Sequence, residues 1–97
     1  MIVTQEGLNE LEEFNAVAKG MKTGIFDWKT ADKLVTGYPD NKHKGFSNGR
    51  EAVKYLLYEL SLRAKVEVLN ADELETLNSC KKLVGDWEKE ADRWSLI

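Results

Sequence analysis

The longest apolar pattern in this chain lies between Asn48 and Leu69, and it constrains the fold more than any other feature. Apolar residues recur there every three or four positions, which predicts a helix over residues 49–69. Asn48 and Glu51 have the spacing of a capping box at its start. Because the helix is apolar over most of its circumference, we predict that it forms the axis of the core. Its apolar residues are Ala52, Val53, Tyr55, Leu56, Leu57, Tyr58, Leu60, Leu62 and Ala64.

The N-terminal segment predicts a second long helix over residues 4–19, with Thr4 as its N-cap and Gly20 as its stop. Residues at spacings of three and four form one apolar stripe on this helix, and glutamates occupy the opposite face. The stripe consists of Leu8, Leu11, Phe14 and Ala18, and the acidic face of Glu6, Glu10 and Glu13.

A short helix is predicted over residues 28–36, capped by Asp27 and ended by Gly37 and Pro39. Its apolar face would consist of Trp28, Ala31, Leu34 and Val35. Before it, residues 21–26 form a connector that is briefly extended at its end. After it, residues 38–47 are predicted to be an irregular loop.

A last helix is predicted from a second capping-box pair, Asn70 and Glu73, to about residue 94. Its apolar stripe suits antiparallel packing against the central helix. No segment has a convincing strand pattern. We therefore predict an all-α fold, a compact bundle of three longer helices and one short helix, in a single domain over residues 1–97. The stripe consists of Leu77, Cys80, Val84, Trp87, Ala91 and Trp94.

The chain has 97 residues and a single cysteine, Cys80, which excludes an intramolecular disulfide framework. No apolar run approaches the length of about 20 residues that a membrane-spanning helix needs. The first residues show no basic region followed by an apolar stretch, so no signal peptide is expected. These features favour a cytoplasmic protein.

A formal net charge of −3 argues against general nucleic-acid binding, which depends on neutralising phosphates. The charge is unevenly distributed, because residues 15–66 carry ten basic and five acidic residues whereas both ends are acidic. Such charges either solvate helix faces or orient the molecule on a charged partner.

Few residues are suited to catalysis. His43 is the only histidine and lies between two lysines, and Cys80 falls on a predicted apolar face, where cysteine usually packs as a small hydrophobe. One histidine and one cysteine this far apart have no zinc-ligand spacing. We therefore predict a protein without enzymatic activity, metal or cofactor.

The basic segment before the central helix is the best candidate for ligand binding. Its cations, glycines and hydroxyl precede a helix N-terminus, an arrangement that can bind anions. Its spacing does not match a Walker-type phosphate loop. The alternative is a solvated loop with a good N-cap. The candidate anion site consists of Lys42, His43, Lys44, Ser47, Asn48, Gly49 and Arg50.

Large apolar residues near the C-terminus suggest either core packing or an oligomer or partner interface. The acidic face of the first predicted helix is a further candidate for contact with a partner. The candidate interface therefore consists of Trp94, Leu96, Ile97, Glu6, Glu10 and Glu13.

Two functional hypotheses follow. The first is a non-enzymatic interaction protein that binds and modulates another macromolecule, with a protein as the expected partner and a homodimer as one form that it could take. The second is a binder of a nucleotide or another phosphate-bearing small ligand at the basic segment. A short acidic chain without catalytic groups is typical of small bacterial or phage accessory proteins.

Overall fold

The computed structural model describes the backbone of residues 1–95 and the side chains of residues 1–93. It contains both helices and strands, so the predicted all-α bundle is wrong and the fold is α+β. The elements in chain order are α1 (Gln5–Asn9), β1 (Phe14–Lys19), β2 (Gly24–Phe26), α2 (Trp28–Val35), β3 (Lys42–Phe46), α3 (Gly49–Ala64) and α4 (Ala71–Ser95).

The three strands form an antiparallel sheet in the order β2-β1-β3, so β3 lies at one edge. Ala16 of β1 pairs with Ile25 of β2 and with Lys44 of β3. Because paired residues of adjacent strands point to the same face, the register assigns each side chain to one of the two faces. A shift in the register between Val17 and Lys19 leaves Ala18 without a direct partner on β3.

Helices cover both faces of the central strand. On one face, Ala16 and Ala18 pack with α3 and α4, in a cluster that includes Leu56 and Cys80. On the other face, Val17 packs with residues of β2 and α2 in a second cluster. β1 is therefore buried on both faces, and its sequence lacks the polar alternation of a half-exposed strand.

This double burial explains why the helix predicted over residues 4–19 is wrong. The Thr4 side chain does cap a helix, accepting a hydrogen bond from the Gly7 N–H, but α1 ends at Asn9. The spacing of Leu8, Leu11 and Phe14 fits a helix only by coincidence, because Phe14 already belongs to β1.

The predictions for the other three helices are confirmed at their N-termini. Asp27, Asn48 and Asn70 each accept a hydrogen bond from the backbone N–H three residues later. Leu56 and Leu60 of α3 are fully buried, as expected for the axis of the core. However, α3 ends at Ala64 rather than Leu69, and residues 42–46 of the predicted loop form β3. Within the described residues, no helix is both long enough and apolar enough to cross a membrane.

Candidate functional site

The edge strand β3 and the first residue of α2 together form an exposed surface of aromatic and basic side chains. Trp28 is 47% exposed although it is large and apolar. Its ring centroid lies 6.0 Å from that of His43, with the two rings tilted by 37°. Lys42 and Lys44 flank His43 along the strand and are also exposed. We refer to Trp28, Lys42, His43 and Lys44 as the β3 surface.

Two carboxylates fix the position of Trp28. Asp27 caps α2 by accepting from the Thr30 N–H at 2.8 Å, and this hydrogen bond holds the pKa of Asp27 below its usual value. Glu13, from the segment before β1, accepts from the Trp28 N–H at 2.6 Å. Both groups are bound to the start of α2, so the backbone of Trp28 is held while its ring stays accessible.

Hydrogen bonds of Asn41 orient the His43 ring. The Asn41 side-chain amide donates to the carbonyls of Val35 and Tyr38, at 3.2 and 3.3 Å. Its oxygen therefore faces His43 Nδ1, 3.0 Å away, and can only accept. In this contact the hydrogen therefore lies on Nδ1.

His43 and the two lysines point to opposite sides of β3. His43 pairs with Val17, which faces α2, whereas Lys44 pairs with Ala16, which faces α3. Lys42 also lies on the α3 side, where its Nζ is 2.9 Å from a carboxylate oxygen of Glu59. The strand therefore offers aromatic rings on one side and cations on the other.

On the side of β3 that carries His43, a glycine leaves the surface without a further side chain. Gly45 follows His43 on the same face, and a Cβ at that position would lie only 3.1 Å from Asn15 Oδ1. On the lysine side, Phe46 packs against Tyr55 with ring centroids 5.4 Å apart, and Lys44 Nζ lies 5.4 Å from the Phe46 centroid. Phe46 and Tyr55 therefore lie next to Lys44 on the α3 side of the strand.

The remaining residues of the candidate anion site are not part of the β3 surface. Ser47 lies exposed in the turn after β3, and Asn48 is engaged as the cap of α3. A Cβ on Gly49 would meet the Phe14 and Leu8 side chains at 3.2 and 3.3 Å. The guanidinium of Arg50 lies 4.8 Å from the Trp87 ring centroid.

The candidate partner interface is also dispersed. Glu6 lies in α1, Glu10 is its C-cap, and Glu13 lies between α1 and β1, so the three glutamates do not share a helix face. The side chain of Trp94 and all of Leu96 and Ile97 lie outside the described residues.

Trp28 is the functional candidate that the sequence analysis missed. Its periodicity with Ala31 and Val35 assigned it to the core, and those two residues are indeed buried. However, Trp28 is the first residue of its helix, where the chain leaves the sheet, and periodicity alone does not fix the burial of such a position.

The described part of the chain contains no group of three or more histidine, cysteine or acidic residues arranged to hold a metal ion. Cys80 is fully buried, and burial raises the pKa of its thiol to about 12. A thiol in that environment packs as a hydrophobe.

A family model described as the ribonuclease H1 N-terminal domain matches residues 13–56. This segment runs from the residue before β1 into α3 and includes the whole β3 surface. No curated protein and no solved structure matches the chain.

The family match overturns two predictions, because it points to interaction with nucleic acid. The prediction of a small interaction protein that acts on a protein partner, with a phosphate-bearing small ligand as the alternative, is wrong. The prediction from net charge that the chain does not bind nucleic acid in general is wrong as well. The physical reason is that charge acts locally, and the basic β3 surface lies within a chain whose acidic residues are concentrated elsewhere.

Proposed function

We propose that this protein binds nucleic-acid duplexes through the β3 surface, with the RNA–DNA hybrid as its preferred ligand. The observation that carries the proposal is the exposed Trp28 ring beside His43, with lysines on the same strand. Large exposed aromatic side chains next to cations are typical of surfaces that contact bases, sugars and phosphates. The hybrid is favoured because the matching family is the hybrid-binding domain of ribonuclease H1.

The arrangement on the two sides of β3 supports a duplex over a single strand. Trp28 and His43 lie on the α2 side of the strand, and Lys44 lies on the α3 side. An exposed strand with contacts on both sides can enter a groove and reach the backbones on either side of it. Single-strand binders instead align their aromatic groups along one continuous path.

We also propose that the protein acts as a binding module without catalysis, and that it works in the cytoplasm. The first statement is supported by the lack of a metal-ligand group among the described residues and by the inert environment of Cys80. The second is supported by the buried free thiol, which suits a reducing compartment.

Fluorescence anisotropy with a labelled RNA–DNA hybrid tests the proposed function. Matched double-stranded RNA, double-stranded DNA and single strands should bind more weakly than the hybrid. Trp28→Ala should weaken hybrid binding about tenfold, because an interface tryptophan typically contributes more than about 1 kcal/mol and a tenfold change corresponds to about 1.4 kcal/mol. Leu74→Ala is the matched control, since Leu74 is also an exposed apolar residue, 44% exposed, but lies on α4.

An unchanged dissociation constant for Trp28→Ala would contradict the role of the β3 surface. Failure of the wild-type protein to bind any of the duplexes would contradict the proposed function as a whole. Circular dichroism of each variant ensures that a loss of binding is compared between folded proteins.

A further inference from the structure

The two lysines on the α3 side of β3 differ in their surroundings. Lys44 is exposed, and its Nζ lies 5.4 Å from the centroid of the Phe46 ring. Lys42 is bound to Glu59, with its Nζ 2.9 Å from Glu59 Oε2. Hydrogen bonding to Glu59 and the charge of Glu59 raise the pKa of Lys42, so the ammonium is present throughout the neutral range.

Glu59 is held firmly in this position. Its neighbours in sequence include Leu56 and Leu60, which are fully buried and fix the orientation of α3. The Glu59 side chain is only 13% exposed, whereas that of Lys42 is 55% exposed. The carboxylate therefore lies beneath the ammonium, which covers it on the solvent side.

We propose that Glu59 weakens the nucleic-acid contact of the β3 surface by neutralising Lys42. This inference rests on the proposed function and concerns the strength of that same site. A phosphate that approaches Lys42 also approaches the Glu59 carboxylate behind it, so attraction and repulsion largely cancel. Among the residues that the structure describes, Lys44 forms no ion pair, whereas Lys42 is paired with Glu59.

The salt dependence of binding separates the two lysines. Each phosphate neutralised by a protein cation steepens the plot of log affinity against log salt concentration by about 0.9. Lys44→Ala should therefore make the slope shallower by about 0.9, whereas the double variant Lys42→Ala/Glu59→Gln, which removes both charges of the pair, should leave it nearly unchanged. Glu59→Gln keeps the shape of the side chain and removes its charge, so it should steepen the slope by about 0.9.

The affinity advantage of Glu59→Gln should also depend on salt. It should fall by about threefold between about 50 and about 200 mM salt, as expected for one additional phosphate contact. Adding Lys42→Ala to Glu59→Gln should restore the wild-type slope. Glu88→Gln is the matched control, because it removes the same charge from an exposed position on α4 and should leave the slope unchanged.

The measurement is anisotropy of a labelled RNA–DNA hybrid titrated over a salt series. Equal slopes for wild type and Glu59→Gln, or equal losses for Lys42→Ala/Glu59→Gln and Lys44→Ala, would overturn the inference while leaving the proposed function intact. Absence of binding by the wild-type protein and by Glu59→Gln alike would overturn both.

Discussion

Arg63→Ala should destabilise the fold strongly, because the guanidinium joins three elements. Arg63, near the end of α3, donates to the Ala18 carbonyl of β1 at 2.7 Å. It also forms an ion pair with Glu73 in the first turn of α4, and a further pair with Glu67. The register shift in β1 leaves Ala18 without a direct partner on β3, and Arg63 supplies a donor to its carbonyl.

The magnitude follows from burial. The side chains of Arg63 and Glu73 are only 18% and 10% exposed. Removing one partner of a buried ion pair costs about 3–5 kcal/mol, because the other charge stays buried without compensation. Residual exposure favours the lower end, so we expect a loss of about 3 kcal/mol. Glu67 is 48% exposed, and its pair with Arg63 should contribute little.

Urea unfolding followed by circular dichroism measures this loss. In thermal unfolding, a loss of about 3 kcal/mol from a domain of this size should lower Tm by about 15 °C. Lys65→Ala is the matched control, since Lys65 is exposed at the end of the same helix and should change stability by less than about 0.5 kcal/mol.

A second substitution identifies the cause of the loss. Glu73→Gln removes the buried charge and keeps an oxygen that can accept from the Asn70 N–H. The double variant Arg63→Ala/Glu73→Gln should therefore be more stable than Arg63→Ala alone. A loss below about 1 kcal/mol for Arg63→Ala, or no recovery in the double variant, would refute this reasoning.

Two further predictions concern titratable groups. Cys80 is buried, and its thiol has a pKa of about 12. It should not react with a thiol reagent in the native protein, but it should react fully after unfolding. Rapid labelling of the native protein would contradict its burial. Burial disfavours the charge of Asp72, but hydrogen bonds from the Met1 ammonium and Thr23 outweigh that effect and lower its pKa below its usual value. A lowered pKa in the folded state stabilises the fold above the pKa of the unfolded state, and this stabilisation is lost as pH falls. Asp72→Asn should therefore have a lower free energy of unfolding than wild type near neutral pH. The difference between the two free energies, measured by urea unfolding, should shrink below about pH 4. A difference that grows on acidification would contradict the predicted direction.

Local interactions explain which parts of the fold could be predicted. The starts of α2, α3 and α4 depend on a side chain that accepts from a backbone N–H three residues away. Asn70 and Glu73 form the complete reciprocal capping box, in which each side chain accepts from the backbone of the other. Such signals can be read within four residues of sequence.

The strands depend on partners that are distant in sequence, and their own residues give little indication of them. β3 is a short edge strand of mainly polar residues, Lys-His-Lys-Gly-Phe, without the alternation that marks a half-buried strand. β1 is buried on both faces by residues of α2 and α3, so it shows no alternation either. The candidate site was located at Lys42, His43 and Lys44, but Trp28 joins it only through the pairing of β1 with β3.

Net charge is a poor guide to the interaction that the family match indicates, because exposed charges act only over short distances. Exposed charges interact over about 8 Å at physiological ionic strength, a distance far smaller than this molecule. Residues 13–56 carry eight basic and five acidic residues, and two of those acids, Glu13 and Asp27, are engaged in hydrogen bonds that hold Trp28 in place. We expect an approaching phosphate to respond to Lys44 and to the balance between Lys42 and Glu59 rather than to the acidic residues of α4. For a small protein with separated charges, the relevant quantity is therefore the charge of the exposed strand and its immediate support.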